Sequence, residues 1–307
     1  MKRVAVLIST YNGERFLKAQ IESILSQKCD TTLHIVVRDD GSSDITQEIL
    51  EEYSKQGNLT WSQGVNVGPA SGFWILIRET AGYDYYALSD QDDLWYEDKI
   101  QKAIASLAGI SGPAMYSSDV ELADINLNSM GRKRFRRHVK FSEDAVLCNV
   151  QVAQGCTIVF NEAFADIIRR GGFPQKMIMH DNYLSALCVA TGTHYICDES
   201  ATMQYRLHEK NTSGLRTKEN VGWINVLQNR MELIFKKCKI SETEQLRDIL
   251  NNFDIFVPKE NRVRCERIIA SKKSVFKRAK LAFSNAALSG SKNMTLAYRI
   301  KFLFGNY

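Results

Sequence analysis

YYALSDQDDLW, residues 85–95, decides the fold: a largely apolar run from Tyr85 to Ser89 breaks abruptly into Asp90, Gln91, Asp92 and Asp93. A short apolar run bounded by polar residues fits a strand buried on both faces. Two earlier runs share this pattern. VAVLIS (4–9) ends in Thr10-Tyr11-Asn12, and LHIVV (33–37) leads into RDDGSSD (38–44). Between the first two runs Leu17, Ile21, Ile24 and Leu25 recur at helical spacing. After the second, Ile45, Ile49 and Tyr53 do the same, with Ser43 or Asp44 placed to cap that helix. LTW (59–61) reads as a third strand, GFWILIRE (72–79) as a helix, Trp95 to Leu107 as another helix and AMYSS (114–118) as a strand. Such alternation predicts βαβ units, and hence an α/β fold with a mainly parallel, Rossmann-like sheet and helices on both faces.

Farther along, residues 130–142 read as an exposed basic loop and GCTIVF (155–160) as a strand. Glu162 to Arg170 is a helix, His180-Asp181 opens another through Ala190, and HYICDE (194–199) is a final strand. From Val221 onward the patterning is helical. The expected division is therefore a catalytic domain over 1–216 and a helical, basic region over 217–307.

The 307 residues are 44% apolar and 24% charged, the balance of a soluble globular protein. No stretch approaches the ~20 apolar residues of a membrane-spanning helix. The run from Val4 to Ile8 is shorter than a signal-peptide core, so it is expected to be a buried first strand. Seven cysteines are dispersed without a CxxC pair, which argues for free thiols in the cytoplasm and against a disulfide framework or zinc site. Net charge is +5, unevenly spread: from Arg262 onward there are eleven basic residues and one acid, Glu266, so that segment holds +10 and residues 1–261 hold −5. Two readings of the basic segment compete, a solvated face and a surface that meets an anionic membrane. VFKRAKLAF and LAYRIKFLF, which mix basic and aromatic residues, favour the membrane. No nucleic-acid motif accompanies the charge.

In open α/β sheets ligands bind beyond the carboxyl ends of the strands, where the three polar clusters fall. A lone DG turn merely reverses the chain, but three clusters at one edge point to a site. Three carboxylates within four residues repel one another unless a cation neutralises them. A D-x-D pair at a strand end suits Mn²⁺ or Mg²⁺ bridging a diphosphate. One of Asp92 and Asp93 is also expected to cap the helix starting near Leu94. The usual NAD and Walker signatures are absent, and Asp39 or Asp40 is placed to accept a hydrogen bond from a nucleoside. A nucleotidyltransferase would want a Gly-rich basic loop after the first strand, where STYNGERF offers only Gly13 and Arg15. A non-catalytic nucleotide-sugar-binding component of an assembly complex is the alternative from another class.

LISTYNGERFLKAQIESILSQ (7–27), VVRDDGSSD (36–44) and SDQDDLW (89–95) together resemble glycosyltransferase family 2, whose catalytic domain has the GT-A fold. The resemblance continues through GCTIVFNEAF (155–164), HDNYLSAL (180–187) and YRLHEKNTSG (205–214). SDQDD before a Trp is similar to the bacterial rhamnosyl-, galactosyl- and glucosyltransferases that build O-antigen and capsule. The resemblance implies that Thr10, Tyr11 and Asn12 line the nucleoside and that Asp40 bonds the base, with Asp39 beside it. It makes Asp92 the direct metal ligand and Asp90 a ribose or metal-shell contact. It places Gly155 and Cys156 toward the acceptor, makes Asp181 the general base and brings His208, with Arg206, near the metal or the diphosphate. His180 beside the base is expected to be a capping or surface residue. The implied reaction inverts the anomeric centre. The donor is expected to be UDP-galactose or UDP-glucose, with dTDP-rhamnose the alternative. The implied acceptor is an undecaprenyl-diphosphate-linked sugar, reached from the cytoplasmic face of the inner membrane.

Overall fold

The computed structural model describes residues 1–134, 141–151, 153–209, 239–289 and 292–307, with Met231 and Ile234 between. The described residues fall into two compact units. The first draws on Met1–Arg136, Ala153–Arg170 and His194–Thr217, the second on Arg137–Val152, Gly171–Thr193 and Lys218–Tyr307.

The first unit is built on a sheet that starts from β1 (Lys2–Thr10), β2 (Thr31–Asp39), β3 (Leu59–Gln63) and β4 (Tyr85–Ser89). These four are parallel, in the order β3-β2-β1-β4. Strand β1 lies between two neighbours, so Val4 to Ile8 are wholly buried and the run has no polar alternation. The sheet continues through β8 (Val159–Asn161), β6 (Ala114–Ala123), β9 (His194–Arg206) and β5 (Leu94–Trp95), with β7 (Ser129–Lys133) paired to β6. Antiparallel β8 joins the parallel set to the parallel pair β6–β9. The crossovers are α1 (Leu17–Leu25), α2 (Thr46–Lys55), α3 (Gly68–Glu79) and α4 (Lys99–Leu107), and α6 (Glu162–Arg170) follows β8. The chain thus has the expected α/β architecture.

Several boundaries differ from expectation for local reasons. The Asp44 carboxylate accepts from the Thr46 amide at 3.0 Å, so α2 starts at Thr46 and buries Thr46, Leu50 and Tyr53, leaving Ile45 half exposed. Leu94 and Trp95 do not open a helix: they pair with Met203 and Gln204, and α4 begins at Lys99 behind Asp98. Neither Asp92 nor Asp93 caps it. Gly155–Thr157 is a 3-10 turn, because the Thr157 amide and hydroxyl both donate to the Gln154 carbonyl, at 2.8 and 2.7 Å. Strand β8 begins only after that turn. Part of the expected basic loop is β7, and residues 135–140 of it lie outside the described residues.

The second unit is helical: α5 (Glu143–Leu147), α7 (His180–Ala190), α8 (Glu242–Asn252), α9 (Lys259–Ser271), α10 (Val275–Ala282) and α11 (Lys292–Phe304). Helix α8 opens on a capping box, Ser241 and Glu244 exchanging side-chain and backbone hydrogen bonds. Inside, Lys301 and Glu242 form an ion pair at 2.6 Å, both nearly inaccessible. Among the described residues no helix is long and apolar enough to cross a membrane. The six described cysteines are all free; Cys238 lies outside the described residues.

Candidate active site

Strand register sets the site. Thr10 pairs with Asp39 across β1–β2 and Ile8 with Ser89 across β1–β4, so three polar strand ends share one edge. The first two loops are then stitched together. Asn12 takes a left-handed φ of +49° and its Oδ1 accepts from the Ser43 amide at 2.9 Å, while its own amide donates to Ser42 Oγ at 2.9 Å. The Gly13 amide donates to Thr46 Oγ1 at 2.8 Å. Asn tolerates the left-handed region because its short polar side chain bonds locally.

Asp39 and Asp40 then diverge. Asp39 is fully buried, and its carboxylate closes its own turn by accepting from the Ser42 amide (3.0 Å), the Ser42 hydroxyl and Gln47 Nε2 (2.8 Å). Asp40 accepts from Arg38 Nε at 3.0 Å and from the Val67 amide at 3.1 Å. Exposed Tyr11, Val65 and Val67 surround this point. Gly72 is needed beside it, because a Cβ there would run into the Ser9 hydroxyl.

In the third loop each consecutive side chain goes a different way. The Gln91 amide grips the first loop: its Oε1 accepts from Thr10 Oγ1 (2.5 Å) and the Tyr11 amide (3.0 Å), and its Nε2 donates to the Tyr11 carbonyl (3.2 Å). Asp92 Oδ2 lies 2.6 Å from His208 Nε2. The His208 ring packs on Phe16, centroids 5.3 Å apart, and the Arg206 guanidinium lies over the same ring at 4.4 Å. Arg206 also donates through Nε to the Asp92 carbonyl (2.7 Å) and through Nη1 to the Ile125 carbonyl (2.6 Å). Burial holds the Arg206 pKa below its usual value, yet an arginine stays a cation.

Asp93 turns inward. Its Oδ1 accepts from the Arg206 amide at 3.2 Å, and burial, then Asp92 and Asp90, push its pKa well above the carboxylate range. The Lys99 ammonium, also buried, donates to the Cys156 carbonyl at 3.1 Å and lies 4.8 Å from the Trp95 ring centroid. Burial pushes its pKa down to about 8, with Cys156, Asp93 and Asp90 opposing.

Two donor sets suggest themselves for a divalent cation. Asp90, Asp93 and Cys156 each bring one donor atom to within 4.8 Å of the others. Burial raises the Cys156 thiol pKa as well, and a buried thiol is a soft donor that suits a hard cation poorly. Asp92 and His208, at 11–17% side-chain exposure and already in contact, fit better, with Asp90 two residues away in the same loop.

The remaining expected residues are placed differently. Gly155 and Cys156 sit in the 3-10 turn, wholly buried, so the Cys156 side chain packs in the core of the first unit. Asp181 is in the first turn of α7, in the second unit, where its Oδ1 accepts from the Asn182 amide at 2.8 Å. His180 is not a surface residue: it is 5% exposed, and burial lowers its pKa against the pull of Asp181.

The model of glycosyl transferase family 2 matches residues 5–166, a span that contains all three strand-end loops. The chain belongs to that family. It is therefore a hexosyltransferase. It is 32% identical over 222 residues to the dTDP-rhamnosyl transferase RfbG of Shigella flexneri, covering 67% of this chain and 73% of the relative. It is 26% identical over 223 residues to the UDP-Glc:alpha-D-GlcNAc-diphosphoundecaprenol beta-1,3-glucosyltransferase WfgD of Escherichia coli, covering 70% and 81%. Among solved structures it is similar to S. aureus TarS 1-349 in complex with UDP-GlcNAc (TM-score 0.56, 16% identity, 99% of this chain and 89% of that one). It is also similar to the mannosyltransferase PcManGT of Pyrobaculum calidifontis in complex with GDP-Man and Mn²⁺ (TM-score 0.55, 17% identity, 99% and 87%). At those identities the likeness speaks for the fold.

Sequence reading of this glycosyltransferase missed Gln91, Phe16 and Lys99. Gln91 had a signal, its place inside an acidic run where a neutral amide is the odd residue out. Phe16 looks like one more apolar residue beside a helix start, and only its contacts with Arg206 and His208 distinguish it.

Proposed function

We propose that this enzyme transfers a deoxyhexose or hexose from a nucleoside-diphosphate sugar to a lipid-diphosphate-linked sugar, with inversion, in the synthesis of a bacterial surface polysaccharide such as O-antigen. The observation that supports the donor site best is the convergence at one sheet edge of Asp40, the Gln91-clamped Thr10–Asn12 loop and the Asp92–His208 pair. Asp40 and Tyr11 are assigned to the nucleoside, and Asp90, Asp92 and His208 to a Mn²⁺ or Mg²⁺ ion. That ion supplies positive charge to the diphosphate leaving group. Arg206 acts on the same region by fixing the Asp92 backbone. Asp181 is assigned the acceptor proton, on the match of HDNYLSAL to the family motif.

The more similar of the two relatives named above carries dTDP-rhamnosyl in its name, and this moves dTDP-rhamnose ahead of UDP-glucose or UDP-galactose as the donor. The UDP-Glc relative favours the second reading. We place the enzyme peripherally on the cytoplasmic face of the inner membrane, where such acceptors lie, with 1–216 as the catalytic domain. A thermal-shift screen with Mn²⁺ tests the donor, since a sugar nucleotide at 100 times its Kd stabilises by about 2.7 kcal/mol. The expected result is a shift with dTDP-rhamnose and transfer of its sugar to a lipid-diphosphate acceptor. A shift and transfer with UDP-glucose alone overturns the dTDP assignment, and no shift with any sugar nucleotide overturns the donor site.

A further inference from the structure

The outward faces of α10 and α11 carry a pattern that solvent does not explain. Helix α10 buries Leu281 and Ala282 and turns the opposite side out. On that side Phe276, Lys277 and Lys280 are exposed, flanked by Lys273 before the helix and Phe283 at its end, successive residues being three, one, three and three apart. Phe276 is 89% exposed and Phe283 67%. Helix α11 buries Ala297, Lys301 and Phe302 and exposes Lys292, Leu296, Leu303 and Phe304. The two helices meet: the Arg299 guanidinium lies 5.5 Å from the Phe283 ring centroid, and Arg278 Nη1 donates to the Phe304 carbonyl. From residue 267 to 307 the chain has no acid at all.

A solvated helix face intersperses charges of both signs and hides its aromatics. This one does neither. We infer that the α10–α11 face is the surface by which the enzyme docks on an anionic lipid bilayer. Phe276, Phe283, Leu296 and Phe304 enter the boundary between headgroups and acyl chains, and Lys273, Lys277 and Lys280 meet lipid phosphates. Single-stranded nucleic acid is also bound by cations and aromatics, but there the aromatics stack on bases. Exposed Val275, Leu296 and Leu303 have no ring to stack, whereas hydrocarbon takes them readily. The inference deepens the reading of a lipid-linked acceptor by naming the face that reaches it, and the two are separable by assay.

The test uses the full chain with vesicles of phosphatidylcholine alone or mixed with phosphatidylglycerol, read by flotation at low and high salt. Donor turnover with Mn²⁺ is measured on the same samples. The expected result is binding to the anionic vesicles only, weakened by salt. Replacing Lys273, Lys277 and Lys280 with Gln should lower the partition about 100-fold, at ~1 kcal/mol per charge. Phe276→Ser should lower it at low salt too, with melting temperature and donor turnover unchanged. Full-length protein that ignores anionic vesicles, or variants that bind as wild type, overturns the inference, as does capture of a single-stranded oligonucleotide in place of vesicles. Vesicle binding without turnover of any sugar nucleotide instead overturns the proposed activity and leaves the docking face standing.

Discussion

Arg206 is the residue whose replacement separates a brace from a phosphate ligand. Its side chain is committed to two carbonyls, Asp92 at 2.7 Å and Ile125 at 2.6 Å, and lies over the Phe16 ring at 4.4 Å. Arg206→Met keeps the aliphatic stem and removes both charge-assisted hydrogen bonds, each contributing about 1.5–3 kcal/mol. Relief of the desolvation that holds the guanidinium pKa down offsets part of the loss, leaving a net destabilisation on the order of 3 kcal/mol. At roughly 2–4 °C per kcal/mol the melting temperature should fall by about 6–12 °C. Because the Asp92 backbone is then unheld, the Mn²⁺-dependent stabilisation by donor should shrink as well. Arg206→Lys should recover little, since one ammonium cannot span two carbonyls as a planar fork does. The measurement is differential scanning calorimetry of the three proteins with and without Mn²⁺ and donor. A Met variant that melts within about 2 °C of wild type while losing kcat would refute the brace and return Arg206 to the diphosphate.

Asp92→Ala should abolish metal-dependent donor binding and transfer while the protein still melts cooperatively; activity that persists in excess EDTA removes the metal from the mechanism. Asp181→Asn should bind donor normally and lose about 10²-fold or more in kcat with KM little changed; wild-type turnover dismisses it as the base. Lys99 titrates near 8 in the fold and 10.5 unfolded, so its charge is fully disfavoured below pH 8 and stability is regained as pH rises toward 10.5. Urea unfolding should therefore show the stability difference between wild type and Lys99→Met moving in favour of wild type by on the order of 3 kcal/mol across that window, on top of the losses from buried thiols that both proteins share, and parallel pH profiles would contradict the assignment.

Those residues also mark where sequence legibility ended. The parallel core and its ligand edge were readable because β1, β2 and β4 are continuous apolar runs, each cut off by a polar turn. Pattern could not separate Asp39 from Asp40: both are acids in one turn, and only the Ser42 and Gln47 contacts show that the first is consumed locally. The helix expected from Trp95 starts only at Lys99, because pairing of β5 with β9 is a long-range contact, invisible to a local period. Family resemblance placed Cys156 toward an acceptor, whereas its side chain is fully buried in the turn that the Thr157 hydroxyl closes. Lys99 sits at a helix start where an exposed lysine is ordinary, and its burial depends on Cys156 and Thr202 arriving from elsewhere in the chain.

The acidic run itself shows how a loop can defeat naive electrostatics. Three ionised carboxylates in four residues would repel strongly if all faced one ion. The loop eases this by sending its residues to different partners, although Asp90 and Asp93 still bring an oxygen each to within 4.8 Å of one another. Gln91 reaches back to β1 and Asp92 forward to His208, while Asp93 drops into the core, where burial favours its neutral form. Neutralising Asp93 lowers the charge around Asp92 without spending a cation. On this account the neutral residue at 91 and the buried acid at 93 matter as much as the pair at 90 and 92, because they tie the loop to Thr10 and to the Arg206 amide while Asp92 meets His208.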